Sequence, residues 1–217
     1  MGSRASFPVS EVRVIMVTDA NCGLGYQIAK SAAMMGATVI LACRSVDKAR
    51  AAMEKMHEEF KEEKTRGTPN LTEKSTLCLE FLKVDLGPFK SVAQFCEDFK
   101  KTGRPLHVLV CNAGIAPIPY MKSDDDLEMI LQVNYLSQFL ITAKLLPVMK
   151  QSGLDCRIIF NSSKAERFAK SPIHGATCAI DLVVNPKHAG VFGLYWEDCK
   201  LKEPSRLSRD EEKQEAL

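Results

Sequence analysis

The chain has 217 residues, enough for one domain with a sizeable core, and its 46% hydrophobic and 26% charged content is that of an ordinary soluble globular protein. Against 29 basic residues stand 27 acidic ones, and a formal net charge of +2 excludes an electrostatic footprint for nucleic acid. The eight cysteines are scattered with no C-x-x-C pair, which predicts thiols in a reducing compartment and argues against a disulfide framework or a metal site. No apolar run approaches the roughly 20 residues of a membrane-crossing helix. Met1-Gly2-Ser3-Arg4-Ala5-Ser6 fits the loose myristoylation pattern, but one acyl chain anchors only marginally. The expectation is a cytoplasmic protein, with peripheral membrane association the weaker alternative.

In chain order, Val14-Ile15-Met16-Val17 is a continuous apolar run, the pattern of a strand buried on both faces. Thr18 to Gly25 forms a turn with two glycines, and from Leu24 onward Ile28, Ala32 and Met35 recur at helical spacing. Ala37–Ala42 predicts a second strand, and Val46–Lys64 a polar helix whose apolar stripe is Ala49, Met53, Met56 and Phe60. A polar loop, Thr65–Thr76, leads to a third strand at Leu77–Val84 and a third helix at Pro88–Lys101, opened by its proline. Leu106–Cys111 predicts the fourth strand. Ser123, followed by Asp124, Asp125 and Asp126, reads as the N-cap of a helix running to about Lys150, and Cys156–Phe160 as the fifth strand. This alternation predicts an α/β, Rossmann-type doubly wound parallel sheet in a single domain.

Strand, glycine turn and helix start at Val14–Lys30 together make an anion site, because unpaired backbone N–H groups and the positive end of the helix dipole converge there. Gly23 and Gly25 have no Cβ, so a phosphate can approach the backbone closely. A two-glycine turn is equally the mark of a tight strand–helix connection, and only further motifs downstream can decide between the two.

Four motifs occur in the right order. Thr18-Asp19-Ala20-Asn21-Cys22-Gly23-Leu24-Gly25 resembles the T-G-x-x-x-G-x-G loop of the short-chain dehydrogenases/reductases, and Cys111-Asn112-Ala113-Gly114 their N-N-A-G motif. Asn134 matches the family's helix asparagine, and Asn161-Ser162-Ser163 its strand-five serine pair. Ile40-Leu41-Ala42-Cys43-Arg44 and the run from Pro105 to Cys111 are similar to the retinol dehydrogenase branch and to the reductase part of the WW-domain-containing oxidoreductases. No WW module is expected, since only Trp196 could serve one. The family-like domain covers residues 12–200, with 201–217 a charged tail or helix.

The resemblance implies a nicotinamide dinucleotide laid across the strand ends. It assigns Thr18, Asn21, Cys22, Gly23, Leu24 and Gly25 to the loop, Asp85 and Leu86 to the adenine, and Asn112, Ala113 and Gly114 to the adenosine ribose. Lys144 aligns with a basic position near the cofactor, although a solvated helix face explains it equally. Arg44, with Lys48 one turn later, suits a 2′-phosphate, so NADP(H) is favoured over NAD(H). Asp19 stands where the family has a glycine and should weaken binding unless its side chain caps a neighbouring N–H.

On the catalytic side the resemblance implies Asn134 for a water relay and Ser163 for orienting a carbonyl, together with a tyrosine that donates the proton and a lysine four residues later. No such pair follows Ser163. The position thirteen residues on is Ala176, and the one later tyrosine, Tyr195, has Cys199 at the fourth position. Instead Ser171-Pro172-Ile173-His174-Gly175-Ala176-Thr177 and the run from Gly193 to Lys200 resemble motifs near the family's C-terminus. Strands one to five and the last strand are present, while the catalytic helix and sixth strand are missing across residues 165–172. The loss should uncover apolar surface on strands four and five, leave an unpaired sheet edge and remove the family's dimer interface. Three readings remain: an oxidoreductase by lineage acting on small lipophilic carbonyls or alcohols, a cofactor-binding regulatory or interaction protein without catalysis, and a splice or gene-model variant with no function of its own.

Overall fold

The structure, a computed structural model, describes residues 13–115, 118–162, 172–191, 193–197 and 199–203. Five strands form a parallel sheet: β1 (Val14–Thr18), β2 (Thr38–Cys43), β3 (Cys78–Lys83), β4 (Val108–Cys111) and β5 (Arg157–Phe160), in the order β3-β2-β1-β4-β5. The continuous apolar runs explain the centre of this sheet, since every residue of β1, β2 and β4 is buried. β1 pairs with β2 on one side and β4 on the other, so the chain reverses its direction of growth across the sheet at β1 and opens a crevice there.

One face is covered by α1 (Gly23–Met34), α2 (Val46–Thr65) and α6 (Pro172–Val184), over Ile15, Val17, Val39, Val108 and Val110. The other is covered by α3 (Phe89–Lys101) and α5 (Ser137–Gln151), where Phe95, Phe99, Ile141 and Leu145 close over Met16 and Leu109. Each helix turns its apolar stripe to the sheet, which at about 25 cal/mol per Å² makes these two layers the main source of stability.

The helix expected from Ser123 starts later. The Ser123 hydroxyl accepts the N–H groups of Asp125 and Leu127, and Asp126 takes φ +61°, so the acidic run is spent on a turn. A short α4 (Met129–Leu131) begins instead at Glu128, whose carboxylate caps Ile130 and Leu131, and a π-helical turn (Gln132–Leu136) joins it to α5.

The expected uncovering of strands four and five also needs correction. β4 is wholly buried, and α6 packs on α1 and β5 through Ala176, Ala179, Val183 and Val184. Arg157 at the start of β5 holds it there, with Nη1 donating to the carbonyls of Leu182 (2.8 Å) and Asn185 (2.9 Å). β5 does remain the outer strand, and Phe160 at its end is exposed. The terminal strand lies apart from the main sheet: β6 (Tyr195–Glu197) pairs antiparallel with β7 (Lys200–Lys202), so the domain's last ribbon runs into the segment expected to be tail.

Candidate functional site

Thr18, the last residue of β1, is fully buried and joins the strand ends together. Its hydroxyl accepts the N–H groups of Asn112 and Ala113, both at 2.9 Å, while Asn112 Nδ2 donates to the Thr18 carbonyl at 3.0 Å. Asn161 Nδ2 donates to Asn112 Oδ1 at 3.0 Å, bringing in the end of β5. Three strand ends are thus fixed to one another by side chains, since the sheet ladder stops there.

The loop after β1 is set by backbone geometry. Asp19 takes φ +53°, a region that favours glycine, and its N–H donates to the carbonyl of Ala42 at the end of β2 (2.9 Å). Gly23 is also left-handed (φ +57°) and faces open space. Gly25 is required for a different reason: a Cβ there would lie 2.4 Å from the Asp19 carbonyl oxygen and 2.5 Å from Asn112 Nδ2. Cys22 is the N-cap of α1 but makes no side-chain cap, so the first-turn N–H groups of Gly23, Leu24 and Gly25 are left for a ligand. Asn21, Cys22 and Gly23 line a cleft of about 630 Å³ together with Lys48.

At the end of β2 the exposed Arg44 borders a second cavity of about 330 Å³, shared with Asp85, Gly87, Ile115 and Val133. Asp85 has a local task as well, because Oδ1 accepts the Gly87 N–H at 2.9 Å and shapes the turn before α3. Leu86 is buried, and its carbonyl accepts the Ser137 hydroxyl. Beside Gly114 stands Asn134, whose Oδ1 accepts the Ile115 N–H (2.8 Å) and whose Nδ2 donates to the Ile115 carbonyl (3.1 Å). Asn134 occupies the π-helical turn, a local widening often found at functional sites.

The fold therefore gathers Thr18, the glycine loop, Arg44, Asp85, Asn112, Ala113, Gly114 and Asn134 at one end of the sheet. Lys144 stands apart from them: its charge acts on Cys96 and Glu97 of α3. Ser163 lies outside the described residues. A Y-x-x-x-K spacing does occur once in the chain, at Tyr26 and Lys30, but upstream in α1. Tyr26 is buried, and burial together with Glu59 pushes its hydroxyl well above the ordinary value, the reverse of what a proton donor needs. Lys30 is paired with Glu59 at 2.5 Å.

Two glutamines that the motifs do not indicate complete the site. Gln138 is buried against Thr18, with Nε2 donating to the Ala113 carbonyl at 3.1 Å. Gln132, wholly buried, donates to the Gly87 carbonyl and accepts the Ser123 hydroxyl. The available signal was polar side chains on the inward face of an apolar helix, which must find partners when buried.

The thiols take no part in a cross-link, as all eight cysteines lie outside disulfides. Burial pushes Cys43 up to about 11, and Cys96 and Cys111 up to about 12, so these three stay protonated at neutral pH. Among the described residues no helix is long and apolar enough to cross a membrane.

Comparison with known proteins matches residues 13–177 to the short chain dehydrogenase family. The human WW domain-containing oxidoreductase is 38% identical over 156 residues, covering 72% of this chain and 34% of that protein. Mouse retinol dehydrogenase 11 is 36% identical over 162 residues, covering 75% of this chain and 46% of the relative. The chain thus spans between a third and a half of the length of these relatives. Among solved structures, a metagenomic short-chain oxidoreductase in complex with NADP superposes with a TM-score of 0.55 at 23% identity, over 77% of this chain and 69% of that one. The strand order, the glycine loop joined to Asn112 and these relatives together settle the lineage: the chain belongs to the short-chain dehydrogenase/reductase family, in its retinol dehydrogenase and WW domain-containing oxidoreductase branch.

Proposed function

We propose that this protein binds a nicotinamide dinucleotide across the ends of β1, β2 and β4, NADP(H) ahead of NAD(H), and does not carry out the family's tyrosine-dependent carbonyl chemistry. The observation that carries the binding half is the space at Gly25, which leaves no room for a Cβ between the Asp19 carbonyl and Asn112 while leaving the helix amides unpaired. Those amides, with Asn21 and Cys22, suit a pyrophosphate. Arg44 and Lys48 suit a 2′-phosphate. Asp85 and Leu86 border the place for the adenine, and Asn112, Ala113 and Gly114 that for its ribose. When bound, the dinucleotide supplies or accepts a hydride.

The proton has no comparable provision. Turnover would need an acid beside the developing alkoxide, worth about 10²–10⁴-fold in rate. No tyrosine–lysine pair follows Ser163 in the sequence, and of the upstream pair in α1 Tyr26 is buried and Lys30 is held by Glu59. Asn134 and Ser163 keep the family's positions as positioning groups without that acid. A small lipophilic carbonyl or alcohol is the substrate class only for an active form.

The test is titration of the full chain with NADPH, followed by nicotinamide fluorescence, and then incubation with retinaldehyde, steroid and aliphatic carbonyls. Saturable binding with no NADPH consumption is expected. Failure to bind would overturn the cofactor reading, and turnover at the rates of complete relatives would overturn the loss of catalysis.

A further inference from the structure

We infer that Asp19 is a cofactor-discriminating residue that narrows the preference for NADP(H) over NAD(H) at the adenosine end of the site. The inference rests on the proposed dinucleotide site and concerns which form that site accepts.

The placement of Asp19 carries it. Its N–H is bonded to the carbonyl of Ala42, so the loop residue sits against the end of β2, two residues before Arg44. Its φ of +53° fixes the backbone in a conformation that aspartate tolerates better than most side chains do. The residue is half-buried, whereas Arg44 and Lys48 are exposed. Both cations act on the Asp19 carboxyl, yet burial outweighs them and leaves it above the ordinary carboxylate value. The Asp19–Ala42 bond, with Arg44 directly after β2 and Lys48 one turn on, sets one acid and two bases around the same strand end.

In doubly wound dinucleotide sites an acid at the end of the second strand accepts a hydrogen bond from the free ribose 2′-OH, and a base in its place accommodates a 2′-phosphate. Here the base occupies the strand end, and the acid arrives beside it from the glycine loop. The two oppose each other toward a single group. A 2′-phosphate meets attraction from Arg44 and Lys48 and repulsion from Asp19, so one of two favourable charges is offset. A free 2′-OH meets no such conflict and finds a carboxylate acceptor. Asp19 therefore lowers affinity for the phosphorylated dinucleotide selectively, and the pyrophosphate common to both forms contributes no discrimination.

Binding constants for NADPH and NADH, measured by nicotinamide fluorescence on the full chain and on Asp19→Asn and Asp19→Gly, test this. Asn keeps the shape and tolerates the backbone angle, and Gly favours that angle, so neither is expected to unfold the loop. Both variants should bind NADPH about tenfold more tightly than the parent, while NADH does not tighten and weakens most in Asp19→Gly, which removes the 2′-OH acceptor. Equal tightening for both nucleotides would place the effect on the pyrophosphate and overturn the discrimination, as would no change in either. If no form of the protein binds either nucleotide while all three melt cooperatively, the dinucleotide reading itself fails, and the discrimination with it.

Discussion

Thr18 Oγ1 accepts two successive backbone amides of the site, those of Asn112 and Ala113. Replacing Thr18 by Val keeps the volume but strands the partly buried Ala113 N–H, while the Asn112 N–H keeps the Val110 carbonyl (3.1 Å), at a cost of about 1–3 kcal/mol. A lower midpoint in urea with an unchanged slope is the expected result. Gly25→Ala makes a different kind of damage. The added Cβ meets backbone, which cannot swing aside, so the loop must shift, and NADPH affinity should fall by more than about tenfold in fluorescence titration. Asp19 also has a signature in stability. Because burial raises its folded carboxyl above 3.8, its ionisation opposes folding: the folded state gains most below that value, and the gain is lost as pH rises through the higher folded value. Asp19→Asn should therefore raise the melting temperature at pH 7 and leave it nearly unchanged at pH 3. The residue types of this site were legible through the family resemblance, since Thr18, Gly25, Asn112 and Asn134 fall in motifs that match the family's in the same order. Gln132 and Gln138 were not, because a glutamine inside an apolar helix gives no sign of which buried group it will meet.

Among the elements, the central strands β1, β2 and β4 were legible because a strand buried on both faces must be a continuous apolar run, and the half-buried β3 and β5 by their place in the alternation of strands with helices. The start of the helix after β4 was not. Ser123 followed by three acids is compatible with an N-cap and equally with a turn closed by the same hydroxyl, and local sequence does not distinguish them. The π-helical turn was hidden for a related reason, since its extra residue is absorbed where Gln132 and Asn134 must both reach fixed partners. The docking of α6 depends on contacts far apart in sequence, chiefly Arg157 with the carbonyls at the end of that helix. Arg157→Met should cost about 3 kcal/mol by leaving those carbonyls and Asp155 with fewer partners. Asp155 adds an acid dependence: burial pushes its carboxyl up, but hydrogen bonds from Arg157 and Arg13 outweigh this and hold it below 3.8. Its contribution is complete above that value and is lost as pH falls through the lower folded value. Thermal melts between pH 5 and about pH 2 should show the loss, and Asp155→Asn should flatten it.

At the scale of the whole molecule, the outer surface of α4 and α5 is the feature to be explained. Leu131, Tyr135, Phe139 and Leu146 recur at helical spacing, and all four are exposed. Phe160 at the end of the outer strand is exposed as well. A row of this kind invites self-association in water. The expected result is a mass in light scattering that rises with concentration, reduced in Phe139→Glu; a monomer at all concentrations would contradict it. The composition could not show this surface, because the same residues would be core in a chain that covered them.

Among the described residues, the polar ties at the strand ends are made before residue 162: Thr18 with Asn112, Asn112 with Asn161, Asn134 with Ile115. The C-terminal part of the chain is tied instead to the opposite end of the sheet, through α6 and its bonds to Arg157 at the start of β5. Inherited or engineered changes should therefore divide by position. Those at or before Asn161 that touch these ties will alter how tightly the protein holds its ligand, and those in α6 will alter how much protein survives in a cell while each surviving molecule binds normally.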